Sequence, residues 1–239
     1  MNFFSTPPKG EIYPYKFSKS SFRDLGLILF SIFYFLFSSV HAQQFKVGLL
    51  GGISTSQVDG DTYAGYNKAG LLAGGFVTKI FSSESKWSAS FEIMYIQKGS
   101  RKVPHPEKGD YTNYSLKMNY AEVPILVKYN FSTADSANEH RMKFALEGGF
   151  AIGALVYSKE EDAFGQVSGG TPFQKSDYSI ILGLNYFLTE HIGFDVRTEY
   201  SIVPVRKGGT SSYYQNWTYK IFKPGYYNNL LVFSLRYQF

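Results

Sequence analysis

The chain ends in Leu231-Val232-Phe233-Ser234-Leu235-Arg236-Tyr237-Gln238-Phe239, a stretch in which apolar and polar side chains alternate. One face of this extended stretch carries only apolar side chains, namely Leu231, Phe233, Leu235, Tyr237 and Phe239. The other face includes Ser234, Arg236 and Gln238. A period of two is that of a β-strand, whose successive side chains point to opposite faces. The stretch therefore predicts a strand whose two faces meet different environments.

Seven more segments with the same alternation precede it. The eight predicted strands cover residues 44–54, 69–81, 87–98, 116–131, 142–157, 175–188, 191–203 and 227–239. Each is near or above the 9–11 residues that cross a bilayer as a tilted strand. Eight is an even number, as single-chain bacterial barrels require. Only the second segment is ambiguous, because Leu72 and Phe76 compete with Leu71 and Val77 for the apolar face.

The alternation alone does not say which face is outside, since a soluble barrel with an apolar interior gives the same pattern. Size favours an apolar exterior, because the interior of an eight-stranded barrel holds only its own side chains. Some fifteen aromatic rings would overfill it. The Gly, Ala and Ser of the other face suit a crowded interior better than a solvent-exposed sheet. Phe91, Ile125, Leu182 and Phe233 are therefore expected to point outward.

The connections between the predicted strands alternate between long and short. Residues 55–68, 99–115, 158–174 and 204–226 are long, and 82–86, 132–141 and 189–190 are shorter. This alternation is typical of extracellular loops and periplasmic turns. The sequence thus predicts an all-β fold, an eight-stranded antiparallel up-and-down transmembrane β-barrel.

The N-terminal part has the features of a secretion signal. An apolar run at 25–37 follows several basic residues and precedes Val40-His41-Ala42. The run is shorter than the roughly 20 residues of a spanning helix, which argues against the alternative of an N-terminal anchor. We expect cleavage between Ala42 and Gln43. The predicted division is an extension with signal peptide at 1–42 and a barrel domain at 43–239, in the outer membrane of a Gram-negative bacterium.

Composition excludes several classes of function. There is no Cys among the 239 residues, so disulfides and thiolate metal sites are absent. Removing residues 1–42 lowers the net charge from +5 to +3, which argues against a nucleic-acid partner. The histidines outside the signal are His105, His140 and His191. All three fall in predicted connections and lack the spacing of metal ligands or of a catalytic triad. We therefore expect neither an enzyme nor a bound cofactor.

The inward face carries nearly balanced charge. Its acids are Glu92, Glu122, Glu147, Asp177, Asp195 and Glu199, and its bases are Lys46, Lys128, Lys143, Arg197 and Arg236. Isolated charges in so narrow a space are costly, so the pattern favours an ion-paired network that fills the lumen. The alternatives are a proton or ion pathway, or paired carboxylates in acid–base catalysis.

The long connections are the candidate contact sites. Arg101 and Lys102 in one of them, and Tyr213, Tyr214 and Trp217 in another, combine basic and aromatic side chains. Aromatic rings with polar tips supply rigid contact area, and basic groups suit anionic sugars or lipopolysaccharide phosphates. The alternative is that these loops touch only lipid headgroups or nothing.

Several segments resemble a known family. The stretch Phe91-Glu92-Ile93-Met94-Tyr95-Ile96-Gln97-Lys98-Gly99 and the stretch 118–129, with the opening 47–54 and the closing 235–239, are similar to the PorT-like outer-membrane β-barrel family. The resemblance covers nearly all of the chain after the signal and implies an outer-membrane barrel. Most members of that family have no assigned activity. Its namesake's role in protein secretion is not transferred by these motifs.

The sequence thus predicts a small structural or interaction protein that recognises partners through its long loops. The alternatives are a small-solute channel, a component associated with a protein secretion system, or a lipid-modifying enzyme. Expected partners are outer-membrane lipid and lipopolysaccharide, a protein or glycan at the loops, and the barrel assembly machinery through the C-terminal strand.

Overall fold

The structure is a computed structural model that describes residues 45–63, 65–81, 86–132, 143–167, 170–208 and 225–239. The side chains of Ser132 and Lys143 also lie outside the description. The predicted signal with its Ala42/Gln43 cleavage site, His140, and the loop residues Tyr213, Tyr214 and Trp217 fall outside the described residues.

The described residues form ten β-strands and one short 3-10 helix, Pro106–Lys108. The strands are β1 (Phe45–Asp59), β2 (Lys68–Ile80), β3 (Trp87–Lys102), β4 (Tyr114–Ser132), β5 (Lys143–Asp162), β6 (Gly165–Gln166), β7 (Ser176–Phe187), β8 (Ile192–Ser201), β9 (Arg206–Lys207) and β10 (Gly225–Gln238). Among these residues, no helix has the length and hydropathy to cross a membrane.

The eight long strands close into a ring. Each pairs antiparallel with the next in the order β1-β2-β3-β4-β5-β7-β8-β10, and β10 returns to β1 from Gly48↔Gln238 to Asp59↔Tyr227. The two-residue strands β6 and β9 pair only with the loop-side ends of β5 and β10, respectively. The predicted fold class, an eight-stranded up-and-down barrel, is confirmed.

Several strands run further than predicted at one end of the barrel. We call it the loop end, where connections 60–67, 103–113, 163–175 and 202–224 lie; the opposite end, where β1 begins and β10 ends, is the terminal end. β1 continues to Asp59 and β5 to Asp162, because polar residues such as Gln57 and Asn229 continue the ladder. Each loop-end connection is still longer than the terminal-end connections next to it in the chain, as predicted, although 60–67 is shorter than the terminal-end connection 133–142.

The outward face is apolar as predicted. Leu182 is 58% exposed, Phe91 46% and Ile125 39%, while their sequence neighbours Ile181, Glu92 and Leu126 are buried. The ambiguous second strand is also settled, because Leu71 and Val77 face outward and Leu72 and Phe76 lie in the lumen.

Gly48 makes room for one of these lumen side chains. A Cβ atom at Gly48 would lie 2.5 Å from the Phe76 ring and 2.2 Å from the carbonyl oxygen of Tyr237. The ring that occupies this space lies 3.9 Å from the guanidinium carbon of Arg236. The glycine therefore lets an aromatic ring pack against a buried cation.

Candidate functional site

The lumen contains two polar clusters separated by apolar side chains. The terminal-side cluster comprises Glu92, Lys128, Glu147, Asn185, Asp195, Arg197 and Arg236, and the loop-side cluster comprises Lys98, Glu122, Asp177, Glu199, Ser201 and Asn228. Between them lie Met94 and Ile96 on β3, Leu126 on β4, Ile181 on β7 and Val232 with Leu230 on β10. Only on β8 do the clusters occupy consecutive inward positions, Arg197 and Glu199. This apolar layer was not predicted from the sequence.

Arg197 organises the terminal-side cluster. Its two Nη atoms donate to the two carboxylate oxygens of Glu92 at 2.7 and 2.9 Å. Its Nε lies 2.6 Å from oxygens of both Glu147 and Asp195. A planar guanidinium suits such a position, since it presents donors in a fixed fork. One cation thus holds carboxylates from three strands together.

The remaining members complete the charge balance. Arg236 Nη1 donates to Glu92 Oε1 at 2.7 Å, and Lys128 Nζ lies 2.7 Å from Glu147 Oε2. The amide of Asn185 donates to Glu147 at 2.7 Å and to Asp195 at 2.8 Å. Three carboxylates face three cations, so this cluster carries no net formal charge.

The loop-side cluster is centred on Lys98, which is fully buried. Its Nζ contacts Glu122 Oε2 at 2.6 Å, Asp177 Oδ2 at 3.2 Å and Glu199 Oε1. Asp177 in turn accepts hydrogen bonds from Ser201 Oγ at 2.6 Å and Asn228 Nδ2 at 2.9 Å. Three carboxylates share one ammonium here, so the near balance of charge predicted from the sequence holds only at the terminal side.

The sequence interpretation missed Lys98 because it placed this residue at the end of a strand. Its position has the same parity as the inward Glu92, and β3 continues to Lys102. Continuing the alternation from Glu92 by three steps of two residues, through Met94 and Ile96, would have placed Lys98 in the lumen. Of the other predicted bases, Lys46 is half-buried near the terminal end, and the side chain of Lys143 lies outside the description.

Aromatic side chains close the lumen at the loop end. Tyr114 OH donates to Glu160 Oε1 at 2.7 Å, and Arg206 donates to both oxygens of Glu160 at 3.2 and 2.6 Å. The Arg206 guanidinium lies 3.8 Å from the centroid of Phe173 and 5.4 Å from that of Tyr226. Tyr114 and Tyr226 were expected in exposed loops; because β4 and β10 extend further, they pack into the mouth of the barrel instead.

Asp61 is a buried acid beside the aromatic side chains that close the lumen at the loop end. Its side chain is 4% exposed, Oδ1 accepts a hydrogen bond from the Tyr63 amide at 2.9 Å, and Oδ2 has no hydrogen-bond partner among the described residues. The Tyr63 ring packs against that of Tyr114, with ring centroids 4.5 Å apart and the planes tilted by 32°. Burial raises the pKa of Asp61 to about 6.

The two described loop candidates differ in their surroundings. Lys102 Nζ lies 2.8 Å from Asp110 Oδ2, and this hydrogen bond lowers the pKa of Asp110 to about 2. Asp110 also accepts from the Thr112 amide at 3.0 Å, which orders the connection 103–113. Arg101 is exposed and forms no ion pair with any described residue. Lys102 thus holds the loop, and Arg101 is available to a partner.

The two histidines within the described ranges, His105 and His191, belong to neither lumen cluster. His105 Nδ1 lies 3.1 Å from Glu107, in a loop, and His191 Nδ1 lies 3.0 Å from the carbonyl oxygen of Gln238 at the terminal end. In the described ranges, no group of three or more His, Asp or Glu side chains could hold a metal ion.

Comparisons with known proteins give one matching family and several similar solved structures. The family model described as "Outer membrane protein beta-barrel domain" matches residues 41–206. A search of curated proteins finds no match. Similar solved structures include Ail of Yersinia pestis in complex with the heparin analogue sucrose octasulfate (13% identity, TM-score 0.43, covering 82% of this chain and 99% of that one). Others are Neisserial surface protein A (14%, 0.43, 82% and 97%) and OprG from Pseudomonas aeruginosa (13%, 0.40, 82% and 96%).

Proposed function

The chain belongs to the outer membrane protein β-barrel domain family, and from that premise we propose that it is a closed barrel that acts as a structural or interaction protein. Recognition takes place through the loop end, which faces the cell exterior, while the terminal end lies in the periplasm. The observation that carries the proposal is the filled lumen.

A solute would have to pass two layers of ion pairs and one apolar layer. Lys98, Glu92 and Arg236 are each at most 1% exposed. Removing one partner of a buried ion pair costs roughly 3–5 kcal/mol. A permeant ion would have to displace several such pairs, and then the aromatic closure around Arg206. This supports a non-conducting barrel over a small-solute channel.

Exposed aromatic side chains at the loop end support a role in recognition. Phe164 is 99% exposed at the tip of the β5–β6 hairpin, and Tyr111 is 72% exposed in connection 103–113. A hydrogen bond from the Phe164 amide to Asp162 Oδ1 at 2.8 Å and a φ of +115° at Gly165 define the turn of this hairpin. Exposed aromatic rings at such a tip supply the kind of side chain that anchors binding interfaces.

Narrower assignments rest on the sequence. The similarity of residues 91–99 and 118–129 to PorT-like barrels supports membership of that group, and these segments form β3 and β4 with Glu92 and Glu122 inward. The signal features of residues 1–42 support export, and strand β10 supports recognition by the assembly machinery. We propose no role in secretion.

Photo-crosslinking in intact cells tests the proposal. A photoreactive amino acid placed at position 164 or 111 should give discrete adducts with a protein or glycan. The matched control is position 182, which is 58% exposed on the barrel wall and should react only with lipid. If positions 164 and 111 give no adduct beyond those of position 182, recognition through the loop end is contradicted.

A further inference from the structure

A group of basic side chains lies on the outer wall near the loop end. On β4 the outward Lys117 lies directly opposite Lys159 of β5 and beside Gly99 of β3. Arg101 of β3 lies opposite Ser115, one outward position nearer the loop end. The charges of Arg101 and Lys117 both act on the ammonium of Lys68 at the start of β2. We call Arg101, Lys117 and Lys159, with Lys68 at their edge, the basic wall cluster.

Little negative charge compensates this cluster. Glu161 pairs with Lys159 at 2.7 Å, but neither Arg101 nor Lys117 forms an ion pair within the described part of the chain. Like charges directly opposite each other destabilise an antiparallel pair. Glu161 already offsets part of this repulsion, because it pairs with Lys159 and its carboxylate also interacts with Lys117. Arg101 and Lys117 therefore carry the charge of the cluster that no described ion pair neutralises.

The position of the cluster along the barrel axis, relative to the apolar band of the outer wall, indicates which anion it meets. On β4 the outward side chains are apolar or aromatic from Ala121 to Phe131. This stretch is about 33 Å along the strand and, at a tilt of about 40°, roughly 25 Å in height, the thickness of the apolar band of outer-membrane barrels. Lys117 lies four residues beyond it, at the level of the headgroups. Lys and Arg side chains can then extend towards phosphates while their methylene chains stay in the apolar region.

We infer that the basic wall cluster binds the phosphate groups of a phosphorylated glycolipid in the outer leaflet. This inference rests on the proposed orientation of the barrel, with the loop end outside. Arg101 supplies a planar, forked donor set that suits phosphate oxygens. Lys117 and Lys159 neutralise the negative charge of the phosphate. The bound lipid would fix the barrel's depth in the membrane and offset the positive charge of Arg101 and Lys117.

Reconstitution into vesicles tests the site. The protein is folded into phosphatidylcholine vesicles with or without about one-tenth diphosphorylated lipid A, and its unfolding temperature is followed by heat-modifiable migration on gels. The test variant is Arg101→Gln with Lys117→Gln. The matched control is Lys79→Gln with Lys86→Gln, which removes the same charge from exposed positions at the terminal end.

Lipid A should raise the unfolding temperature of the wild type and of the control variant, and most of this shift should be lost in the test variant. Binding of lipid A to the test variant should be about tenfold weaker or more. Fully dephosphorylated lipid A should give no shift. An equal shift in all three proteins, or the same shift from inorganic phosphate without lipid A, would overturn the inference. The test variant should still fold and still pass no current, so failure here is distinct from failure of the closed-barrel proposal.

Discussion

Arg197 donates to both carboxylate oxygens of Glu92 across the barrel lumen, from β8 to β3, at 2.7 and 2.9 Å. Neither strand neighbours the other in the sheet, so the pair ties opposite walls together. Since both side chains are at most 3% exposed, the bond is shielded from water.

Replacing Glu92 by Gln should destabilise the barrel by about 3–5 kcal/mol, because Arg197 and Arg236 then lose their shared counter-charge. Urea unfolding of the refolded protein in detergent measures the change. Lys102→Gln is the control, since it removes an ion pair that water reaches, and it should have a much smaller effect. Equal effects of the two substitutions would show that the lumen network does not hold the barrel together.

Replacing Leu182 by Arg should cost roughly 2–4 kcal/mol, because this side chain points into the apolar band near its middle. The same change at Tyr111, in connection 103–113, should be nearly neutral. The comparison is made in vesicles, where the hydrocarbon layer is intact. A neutral Leu182→Arg would contradict the outward orientation of the apolar face.

Stability should depend on pH through Asp61. Its pKa of about 6 in the folded state lies above its ordinary value of 3.8, so the folded state retains the proton longer than the unfolded chain. The free energy of unfolding should therefore fall as pH rises from about 4 to about 6, by up to about 3 kcal/mol.

Asp61→Asn should stabilise the protein at pH 7 by a similar amount and leave it almost unchanged at pH 4, because the amide keeps the acceptor for the Tyr63 N–H. Urea unfolding at both pH values measures this. A stabilisation that is equal at the two pH values would refute ionisation of Asp61 as its cause.

Deleting Tyr237 to Phe239 should block assembly. These residues pair with the start of β1, through Leu49↔Tyr237 and the hydrogen bond from Phe239 N to Val47 O at 2.9 Å. The deletion leaves backbone groups without partners in lipid, each at a cost of several kcal/mol. Deleting 210–222, within one connection, is the control and should leave heat-modifiable migration intact. Normal migration of the C-terminal deletion would argue against closure through β10.

Strict alternation is what made the ring and its outer face predictable. At Leu184 and Leu235 an apolar residue lies between polar or small neighbours, so parity alone assigns the faces. The run Ile93-Met94-Tyr95-Ile96 is apolar on both faces, and it hides the apolar layer inside the lumen. Polarity also cannot tell where a strand ends above the membrane, since water solvates both faces there. This is why Tyr114 was expected in a loop, and why Lys98, at the predicted end of its strand, was not counted among the inward bases.

The charge pairing in the lumen could be predicted only in part from the sequence, for a related reason. Counting inward acids and bases gives a total, whereas the partition into two clusters depends on the stagger between strands. The stagger brings Asp177 and Glu199 to Lys98 and leaves the cations Arg197 and Arg236 with Glu92. The alternation of side chains along one strand does not contain that information.

Current through single inserted barrels tests the central claim, that the lumen is closed. Purified protein is inserted into a planar bilayer in molar KCl, with insertion verified by accessibility of the loop end to protease. The filled lumen predicts no stepwise conductance across repeated insertions. Reproducible steps whose size changes when Lys98 or Arg236 is replaced by Ala would show that ions pass between these side chains, and would contradict the account.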